Sequence, residues 1–269
     1  MKRKNISAVI ITNNEEKIIA RCLDSLSWVD EIVVVDSGST DNTVAISKRH
    51  NARVFYKKWQ GYSRQKNFAL SKAKGKWILA IDADELITDE LRDEIKQTIN
   101  TDNGEYDGYE AKRKNYYYGR FIRFGGLYPD YHVLLFRKGR GKFSRKEDHE
   151  GVALKGKKTK LNGATLHFTN DAIAEHVEKV NKYTELEAIQ NVKNSKTPTG
   201  YSIFMKPFYN FIKNYFLKFG FLDGFHGLVF HVISSMYLFI QEIKTAEKMN
   251  LLGLNFTGSL FKRAKGMGR

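Results

Sequence analysis

Cysteine is almost absent from this sequence: Cys22 is the only one among 269 residues, which excludes a fold held together by disulfide bonds. Low-complexity tracts are also missing, and 42% of the residues are apolar and 13% aromatic, so intrinsic disorder is excluded as well. A chain of this length can bury a sizeable core as one large domain, or as one domain with an appendage. The sequence therefore indicates a globular protein.

Several nucleotide- and nucleic-acid-binding motifs are missing too. No G-x-G-x-x-G and no G-x-x-x-x-G-K-[ST] follows a predicted strand, so NAD-type and P-loop sites lose support. No helix-turn-helix, zinc-ligand or RNP-type motif is present, which argues against a nucleic-acid-binding protein.

A long uninterrupted apolar run is the next feature that the sequence lacks. Residues 224–241 contain no Lys, Arg, Asp or Glu, but only 11 of these 18 residues are apolar. We expect a helix that lies in a membrane interface or is buried, rather than a spanning helix. Residues 204–221 interleave three lysines with aromatics, which is typical of an interfacial helix. An internal packing face or a dimer contact is the alternative for 203–241.

The positive charge is concentrated in one segment. The chain carries 45 Lys and Arg against 30 Asp and Glu, a net charge of +15. Residues 112–160 hold 15 basic and 4 acidic side chains, whereas residues 1–111 hold 17 and 18. Such a patch could bind nucleic acid, phosphorylated sugars or an anionic membrane. The alternative is a solvated lysine-rich face with no binding role.

Strands and helices alternate through the first hundred residues. The predicted strands are 7–12, 31–36, 53–56 and 76–81, and the predicted helices are 15–26, 42–50, 62–73 and 88–100. Alternation at this spacing predicts an α/β fold with a mostly parallel sheet covered on both faces. Short strands follow within 104–168, then a helix over 171–191 and aromatic-rich amphipathic segments up to residue 249.

Acidic residues stand at the ends of two predicted strands. Asp36 ends the second strand, and Asp82 and Asp84 follow the fourth. Ligands of doubly wound sheets bind beyond the carboxyl ends of the strands, where two carboxylates can converge on Mg²⁺ or Mn²⁺. Taken alone, the same aspartates are equally compatible with a strand end and a capped turn.

These residues belong to a longer ordered set that resembles a known family. The segments AVIITNNE (8–15), EIVVVDSGSTD (31–41), QKN (65–67) and WILAIDADE (77–85) resemble the nucleotide-sugar half of family 2 glycosyltransferases, which have the GT-A fold. The match continues with DHE (148–150), LHF (166–168), KYT (182–184) and GFLDG (220–224). This longer set is similar to the bacterial subfamily that adds a β-linked glucose or related hexose to the inner core of lipopolysaccharide.

The resemblance implies a division of the chain. It places a Rossmann-like GT-A catalytic domain over 1–170, with a mostly parallel central sheet. Within it, residues 1–103 form the nucleotide-sugar half and 104–170 the acceptor half. Residues 171–269 are expected to form a helical, membrane-associating C-terminal region.

The resemblance also implies roles for individual residues. The expected nucleotide-sugar ligands are Thr12, Asn14, Glu15, Asp36, Lys66 and Asp82. Asp84 is the expected main ligand of a Mg²⁺ or Mn²⁺ cofactor, which Asp82 and His167 would also contact; a satisfied core histidine is the alternative for His167. Glu150 is favoured as the catalytic base because the subfamily has a His-Glu pair there. Asp148 is the alternative, since the wider family has an acidic pair that would align with Glu147 and Asp148.

The expected partners follow from the same resemblance. They are a UDP-sugar donor, an anionic heptose-type glycolipid acceptor and the cytoplasmic face of the inner membrane, bound peripherally, with no nucleic acid. The implied reaction is an inverting hexosyl transfer, glucose being the preferred sugar. Another cell-surface glycan or a polyprenyl phosphate is the alternative acceptor, and a basic nucleic-acid-binding protein is the remote alternative, one that leaves the three aspartates unexplained.

Overall fold

The computed structural model describes residues 5–146 and 149–251 of the chain. The strands are β1 (Ile6–Thr12), β2 (Glu31–Asp36), β3 (Arg53–Tyr56), β4 (Trp77–Ala80), β5 (Glu85–Ile87), β6 (Gly108–Tyr117), β7 (Arg120–Phe121), β8 (Asp130–Arg137), β9 (Gly141–Lys146), β10 (His149–Leu154) and β11 (Lys158–Asn170). The α-helices are α1 (Ile19–Asp24), α2 (Thr43–Arg49), α3 (Tyr62–Lys72), α4 (Asp89–Asn100), α5 (Ile173–Lys193), α6 (Lys206–Phe211) and α7 (Gly224–Lys248). Wider π turns flank α6 at Tyr201–Met205 and Ile212–Leu217, and a 3₁₀ turn, Gly220–Asp223, precedes α7.

The main sheet has the strand order β3-β2-β1-β4-β8-β6-β11-β5, with β7 paired to β6. The strands β3, β2, β1 and β4 are parallel, and the helices α1, α2 and α3 connect them. Every residue of β2 is buried, as its β-branched run predicts for a strand covered on both faces. The predicted α/β fold with a parallel sheet in its first hundred residues is confirmed.

The other half of the sheet is antiparallel. Strand β8 pairs antiparallel with both β4 and β6, and β11 pairs antiparallel with β5. Four strands here were not individually predicted from the sequence: the short strand β5 directly after Asp84, the two-residue strand β7, and the separate hairpin of β9 and β10. These are short strands without a clear alternation of apolar residues, so their pairing depends on partners far away in sequence.

Two clusters of buried apolar side chains form the core of the sheet. One contains Ile10, Leu23, Trp77 and Leu91, and the other contains Val33, Val35, Ile78 and Phe136. Neighbouring residues of β2 and β4 belong to different clusters, because successive side chains of a strand point to opposite faces. The sheet is therefore packed on both sides, and polar groups at its carboxyl edge are held on a rigid base.

Helix α4 begins with a side-chain cap at Thr88. The Oγ1 atom of Thr88 accepts a hydrogen bond from the backbone N–H of Leu91 at 3.3 Å. Asp89 and Glu90 occupy the first turn, where carboxylates are favourable beside the unpaired N–H groups. The chain that follows Asp84 thus enters a strand and then a capped helix within a few residues, which fixes its course.

The chain divides into two units by its internal contacts. The described residues up to Arg123, with Leu127–Thr169, form the first unit; Phe124–Gly126 and the residues from Asn170 onwards form the second. In the second unit, Lys244 on α7 donates through Nζ to the backbone oxygen and to Oδ1 of Asn181 on α5, each at 2.7 Å. The backbone N–H of Phe124 donates to Oδ2 of Asp223 at 2.8 Å. All the candidate nucleotide-sugar and metal ligands lie in the first unit.

Among the described residues, one helical stretch is long and apolar enough to cross a membrane by length and composition. It covers Gly220–Lys248; its most apolar window of 18 residues has a mean hydropathy of 1.2, and 22% of that window is buried. Length and composition alone are weak evidence, because a soluble core helix passes the same criterion.

Candidate active site

The turn after β2 is organised around Asp36. Its Oδ1 atom accepts hydrogen bonds from the backbone N–H groups of Gly38 and Ser39, each at 2.9 Å, and its Oδ2 atom accepts one from the Ser39 hydroxyl. Gly38 adopts a φ of +107°, which a residue with a side chain rarely reaches. The buried Asp36 carboxylate therefore shapes the turn at the edge of the sheet where the nucleoside site is expected.

The loop after β1 is joined to this turn. Thr12 is the direct neighbour of Asp36 in the parallel pairing of β1 and β2. Asn14 accepts a hydrogen bond from the Thr40 backbone N–H through Oδ1, at 2.8 Å, and Glu15 donates its own N–H to Thr43 Oγ1 at 2.8 Å. The four nucleoside candidates Thr12, Asn14, Glu15 and Asp36 are brought together at one end of the parallel strands.

Lys66 on α3 lies beside the end of β4. Its Nζ atom is 2.7 Å from Oδ1 of Asp82. Burial disfavours both charges, but their mutual attraction outweighs it: the pKa of Asp82 falls to about 2, and the pKa of Lys66 is raised. Both groups are therefore charged at neutral pH, which leaves a cation at the point where the strand ends.

Asp84 faces His167 on β11. The Nε2 atom of His167 is 3.3 Å from Oδ2 of Asp84, and its Nδ1 atom is 2.7 Å from Oδ1 of the buried Asn115. Because that amide oxygen only accepts hydrogen bonds, it fixes the proton on Nδ1 and turns Nε2 towards Asp84. Burial opposes the charge on His167, whereas Asp84 favours it and raises the pKa of the imidazole. The two expected metal-site residues from distant parts of the chain do meet.

Two charged residues near this pair were missed by sequence reasoning. Glu85 Oε1 lies 2.6 Å from Nε of Arg113 on β6, and Glu85 Oε2 accepts a hydrogen bond from the backbone N–H of Asp82 at 3.3 Å. Burial, aided by the neighbouring Asp82, raises the pKa of Glu85 in spite of Arg113. Glu85 directly follows the D-x-D motif, but nothing in the sequence pairs it with a residue 28 positions away.

A cavity of about 590 Å³ opens beside these groups. Lys66, Asp82, Glu85 and Arg113 line it, together with residues 130–133 at the start of β8. Phe143, Gly151 and Val152 of the β9–β10 hairpin line it as well. The cavity thus combines three cationic side chains and four carboxylates with an apolar wall; Lys158, Glu110 and Asp130 complete the charged set.

The side chains of the two candidates for the catalytic base lie outside the described part of the structure. Asp148 lies outside the described residues, as does Glu147, and for Glu150 only its backbone position in β10 is described. The two residues after Glu150 line the cavity.

Part of the excess positive charge is used inside the first unit. Arg113 pairs with Glu85, Lys158 Nζ lies 2.5 Å from Glu110 Oε1, and Arg140 Nε lies 3.3 Å from Asp107 Oδ1. Other cations of segment 112–160 are exposed, among them Arg120, Lys142, Lys155 and Lys160. The basic segment is therefore partly a structural feature and partly a free surface.

Comparison with known proteins identifies the family of the chain. The family model described as Glycosyl transferase family 2 matches residues 7–149, which include β2 to β9, all of β1 but its first residue, and Asp36, Asp82 and Asp84 at the strand ends. The chain belongs to glycosyl transferase family 2. This family 2 transferase has the mixed α/β fold, with a parallel half to its central sheet, that the resemblance to GT-A proteins implied.

Two curated relatives match nearly the whole of this transferase. The chain is 31% identical over 250 residues to the lipopolysaccharide core biosynthesis glycosyltransferase LpsC of Rhizobium meliloti, covering 90% of this chain and 92% of LpsC. It is 34% identical over 257 residues to the uncharacterised glycosyltransferase RT0209 of Rickettsia typhi, covering 91% and 87%. The family and the transferase activity are therefore established.

Two solved structures are also similar. Residues 1–349 of S. aureus TarS superpose with a TM-score of 0.47 at 18% identity, covering 94% of this chain and 93% of that chain. The glucosyl-3-phosphoglycerate synthase of Mycobacterium tuberculosis with Mn²⁺, UDP-glucose and phosphoglyceric acid has a TM-score of 0.37 at 25% identity, covering 41% and 44%.

Proposed function

We propose that this transferase moves a hexose, preferably glucose, from a UDP-sugar to a heptose-type acceptor in the inner core of lipopolysaccharide. The main structural support for this proposal is the contact between Asp84 and His167, whose imidazole is oriented by Asn115. The Lys66–Asp82 ion pair lies nearby. The proposed acceptor is supported by the likeness to LpsC, whose name assigns it to lipopolysaccharide core biosynthesis.

The donor atoms at Asp84 and His167 fit a divalent cation. A carboxylate oxygen and an imidazole nitrogen are ligands that Mn²⁺ accepts, and the Nδ1 hydrogen bond to Asn115 is the usual way to hold a ligating histidine. Within the described residues, no three Asp, Glu, His or Cys side chains are placed to hold an ion by themselves. Asp84 and His167, with Asp82 nearby, would thus supply part of the coordination, and phosphate oxygens the remainder.

A bound cation would offset the negative charge that builds up on the diphosphate leaving group. Lys66 and Arg113 line the same cavity and add positive charge there. Lys66 stays charged at neutral pH because Asp82 raises its pKa. These two side chains therefore orient and stabilise the departing diphosphate.

We further propose an inverting displacement in a single step. The acceptor hydroxyl oxygen bonds to the anomeric carbon as the bond from that carbon to the diphosphate oxygen breaks, and UDP leaves with the electron pair. A carboxylate takes the hydroxyl proton. Glu150 is the preferred base, because Gly151 and Val152, which follow it in β10, line the cavity; Asp148 is the alternative.

The second unit is proposed to bind the cytoplasmic face of the inner membrane. Its helical segment carries large apolar side chains that are more than half exposed; those between residues 201 and 225 are Tyr201, Phe204, Met205, Phe208, Tyr209, Leu217, Phe219, Leu222 and Phe225. Lys206, Lys213 and Lys218 are interleaved with them. Exposed aromatics with interspersed lysines suit an anionic lipid surface, where rings enter the interface and ammonium groups meet phosphates.

A donor and acceptor screen tests the proposal. The purified protein is incubated with a panel of nucleotide sugars and either Mn²⁺ or Mg²⁺. The released nucleoside diphosphate is measured with and without truncated core oligosaccharides. We expect UDP-glucose to be used, EDTA to stop the reaction, and a heptose-containing core to accelerate it. Transfer only to a polyprenyl phosphate or to another glycan would overturn the proposed acceptor but not the transferase activity.

A further inference from the structure

The wall of the cavity formed by β8 has no role in the mechanism above. This wall consists of Asp130, Tyr131, His132 and Val133. None of these residues has been assigned a ligand so far. Asp130 stands directly across from Arg113 in the pairing of β8 and β6. His132 lies two residues further on and therefore on the same side of the strand as Asp130.

The two ring nitrogens of His132 are buried polar atoms that have no hydrogen-bond partner among the described residues. Buried polar atoms are nearly always paired, since an unpaired one forfeits its hydrogen bonds to water. A partner supplied by a ligand in the cavity would satisfy the imidazole.

The imidazole is neutral, which restricts the kind of partner. Burial, together with the positive charge of Arg113, lowers the pKa of His132 to about 3. At neutral pH one ring nitrogen is therefore a donor and the other an acceptor. A neutral ring of this kind suits a hydroxyl group, which both donates and accepts, whereas a phosphate would favour the cations Lys66 and Arg113.

The position in the cavity indicates which molecule carries the hydroxyl. Lys66 and Asp82 line the same cavity and mark where the diphosphate is proposed to lie. The hexose of a nucleotide sugar is bonded directly to that diphosphate. The neutral imidazole of His132, which lines the same cavity, is therefore well placed to form a hydrogen bond with the sugar.

We propose that His132 recognises a hydroxyl group of the donor hexose, so that it selects the sugar and does not bind the nucleotide. This inference rests on the proposed function, because it requires a nucleotide sugar in the cavity. It makes His132 a specificity-determining residue with no role in the chemical step itself.

The test compares binding of UDP with binding of the UDP-sugar. His132→Phe keeps a ring of similar shape without hydrogen-bonding atoms, and His132→Asn keeps a donor and an acceptor. Calorimetry in the presence of Mn²⁺ measures both ligands on the full chain. We expect His132→Phe to weaken UDP-sugar binding by about three- to tenfold, as for the loss of one neutral hydrogen bond, with UDP binding unchanged. His132→Asn should recover part of the loss.

A set of deoxy-sugar donors identifies the hydroxyl and separates recognition from folding. One deoxy analogue should bind the wild type more weakly, yet lose nothing further in His132→Phe, because the two changes remove the same interaction. His50→Phe is the matched control, since the His50 ring contacts Asp24 and the Ile46 backbone outside the cavity.

The outcomes distinguish this inference from the function on which it rests. Equal weakening of UDP and UDP-sugar in His132→Phe would mean a structural role only, and would overturn the inference. Unchanged sugar binding in an active enzyme would overturn it as well. If instead the wild type consumed no nucleotide sugar at all, the proposed function itself would fall.

Discussion

Asp84 and His167 stand 83 residues apart in the chain, yet Oδ2 of Asp84 and Nε2 of His167 lie 3.3 Å apart in the structure. The contact arises because β11 pairs with β5, the short strand that follows Asp84; His167 is the direct neighbour of Glu85 in that pairing. The backbone N–H of Phe168 also donates to the carbonyl oxygen of Asp84 at 2.9 Å. The position of this pair is therefore set by backbone hydrogen bonds, not by side-chain contacts alone.

Removing the Asp84 carboxylate should strongly reduce activity without unfolding the protein. We expect Asp84→Asn to lower kcat by about 10²- to 10³-fold, as for the loss of one group that stabilises transition-state charge. Mn²⁺ binding in the presence of UDP, measured by calorimetry, should weaken in parallel.

Asp89→Asn is the matched control for that variant. Asp89 is an exposed carboxylate paired with Arg92, so its neutralisation should leave both measurements unchanged. Full turnover by Asp84→Asn with Mg²⁺ or Mn²⁺ would show that the metal assignment is wrong.

Asn115 should act through His167. Asn115→Ala removes the acceptor for the Nδ1 proton, so the imidazole loses its fixed orientation. We expect metal affinity to fall by about 10- to 100-fold, the usual cost of losing such a supporting contact. Asn115→Asp, which keeps an acceptor at that position, should restore much of the affinity. Equal affinities in all three proteins, measured by Mn²⁺ titration, would assign Asn115 a purely structural role.

The identity of the base can be decided by comparing two isosteric variants. Glu150→Gln should retain UDP-sugar binding but lower kcat by about 10²- to 10⁴-fold, because no carboxylate would then take the proton of the acceptor hydroxyl. Asp148→Asn should remain active. Steady-state kinetics with the acceptor, together with donor binding by calorimetry, measure both effects. The reverse pattern, an inactive Asp148→Asn and an active Glu150→Gln, would place the base at Asp148.

Membrane binding should depend on the exposed apolar side chains of the second unit. We expect the double variant Phe208→Glu with Leu217→Glu to lose sedimentation with phosphatidylglycerol vesicles, since charged side chains oppose entry into the interface. Leu186→Glu on α5 replaces another exposed leucine and should still sediment. Equal binding of all variants, or equal binding of the wild type to uncharged phosphatidylcholine vesicles, would contradict an anionic membrane surface as the partner.

The parallel half of the fold was predictable from local patterns. Strand β2 was delimited to the residue, because a β-branched run bounded by Glu31 and Asp36 can only be buried on both faces. Helix α1 was expected from residue 15 but begins at Ile19. The backbone N–H groups of Glu15 and Glu16 instead donate to the side chains of Thr43 and Asp41, which follow β2. Patterns of hydrophobicity indicate where an element lies, but such side-chain contacts decide where it begins.

The candidate site was predictable only in part. Asp36, Asp82 and Asp84 stand out because strand ends at the carboxyl edge of a parallel sheet meet in one place. Arg113, Asn115 and His132 carry no local signal, since each acts on a residue or a cavity assembled from distant segments. Arg113 was counted in the basic segment, yet its partner is the buried Glu85.

By itself the sequence determined the alternation of strands and helices, the acids at the strand ends and the membership of a glycosyltransferase family, because all of these depend on patterns within short stretches of chain. The tertiary structure alone decided which charges are paired. Lys66 with Asp82, Arg113 with Glu85, and His167 with Asp84 are contacts across strands and helices. Glu85, Arg113 and His167 stand on β5, β6 and β11, whose register is fixed by long-range backbone pairing rather than by neighbouring residues, whereas Lys66 reaches Asp82 from α3.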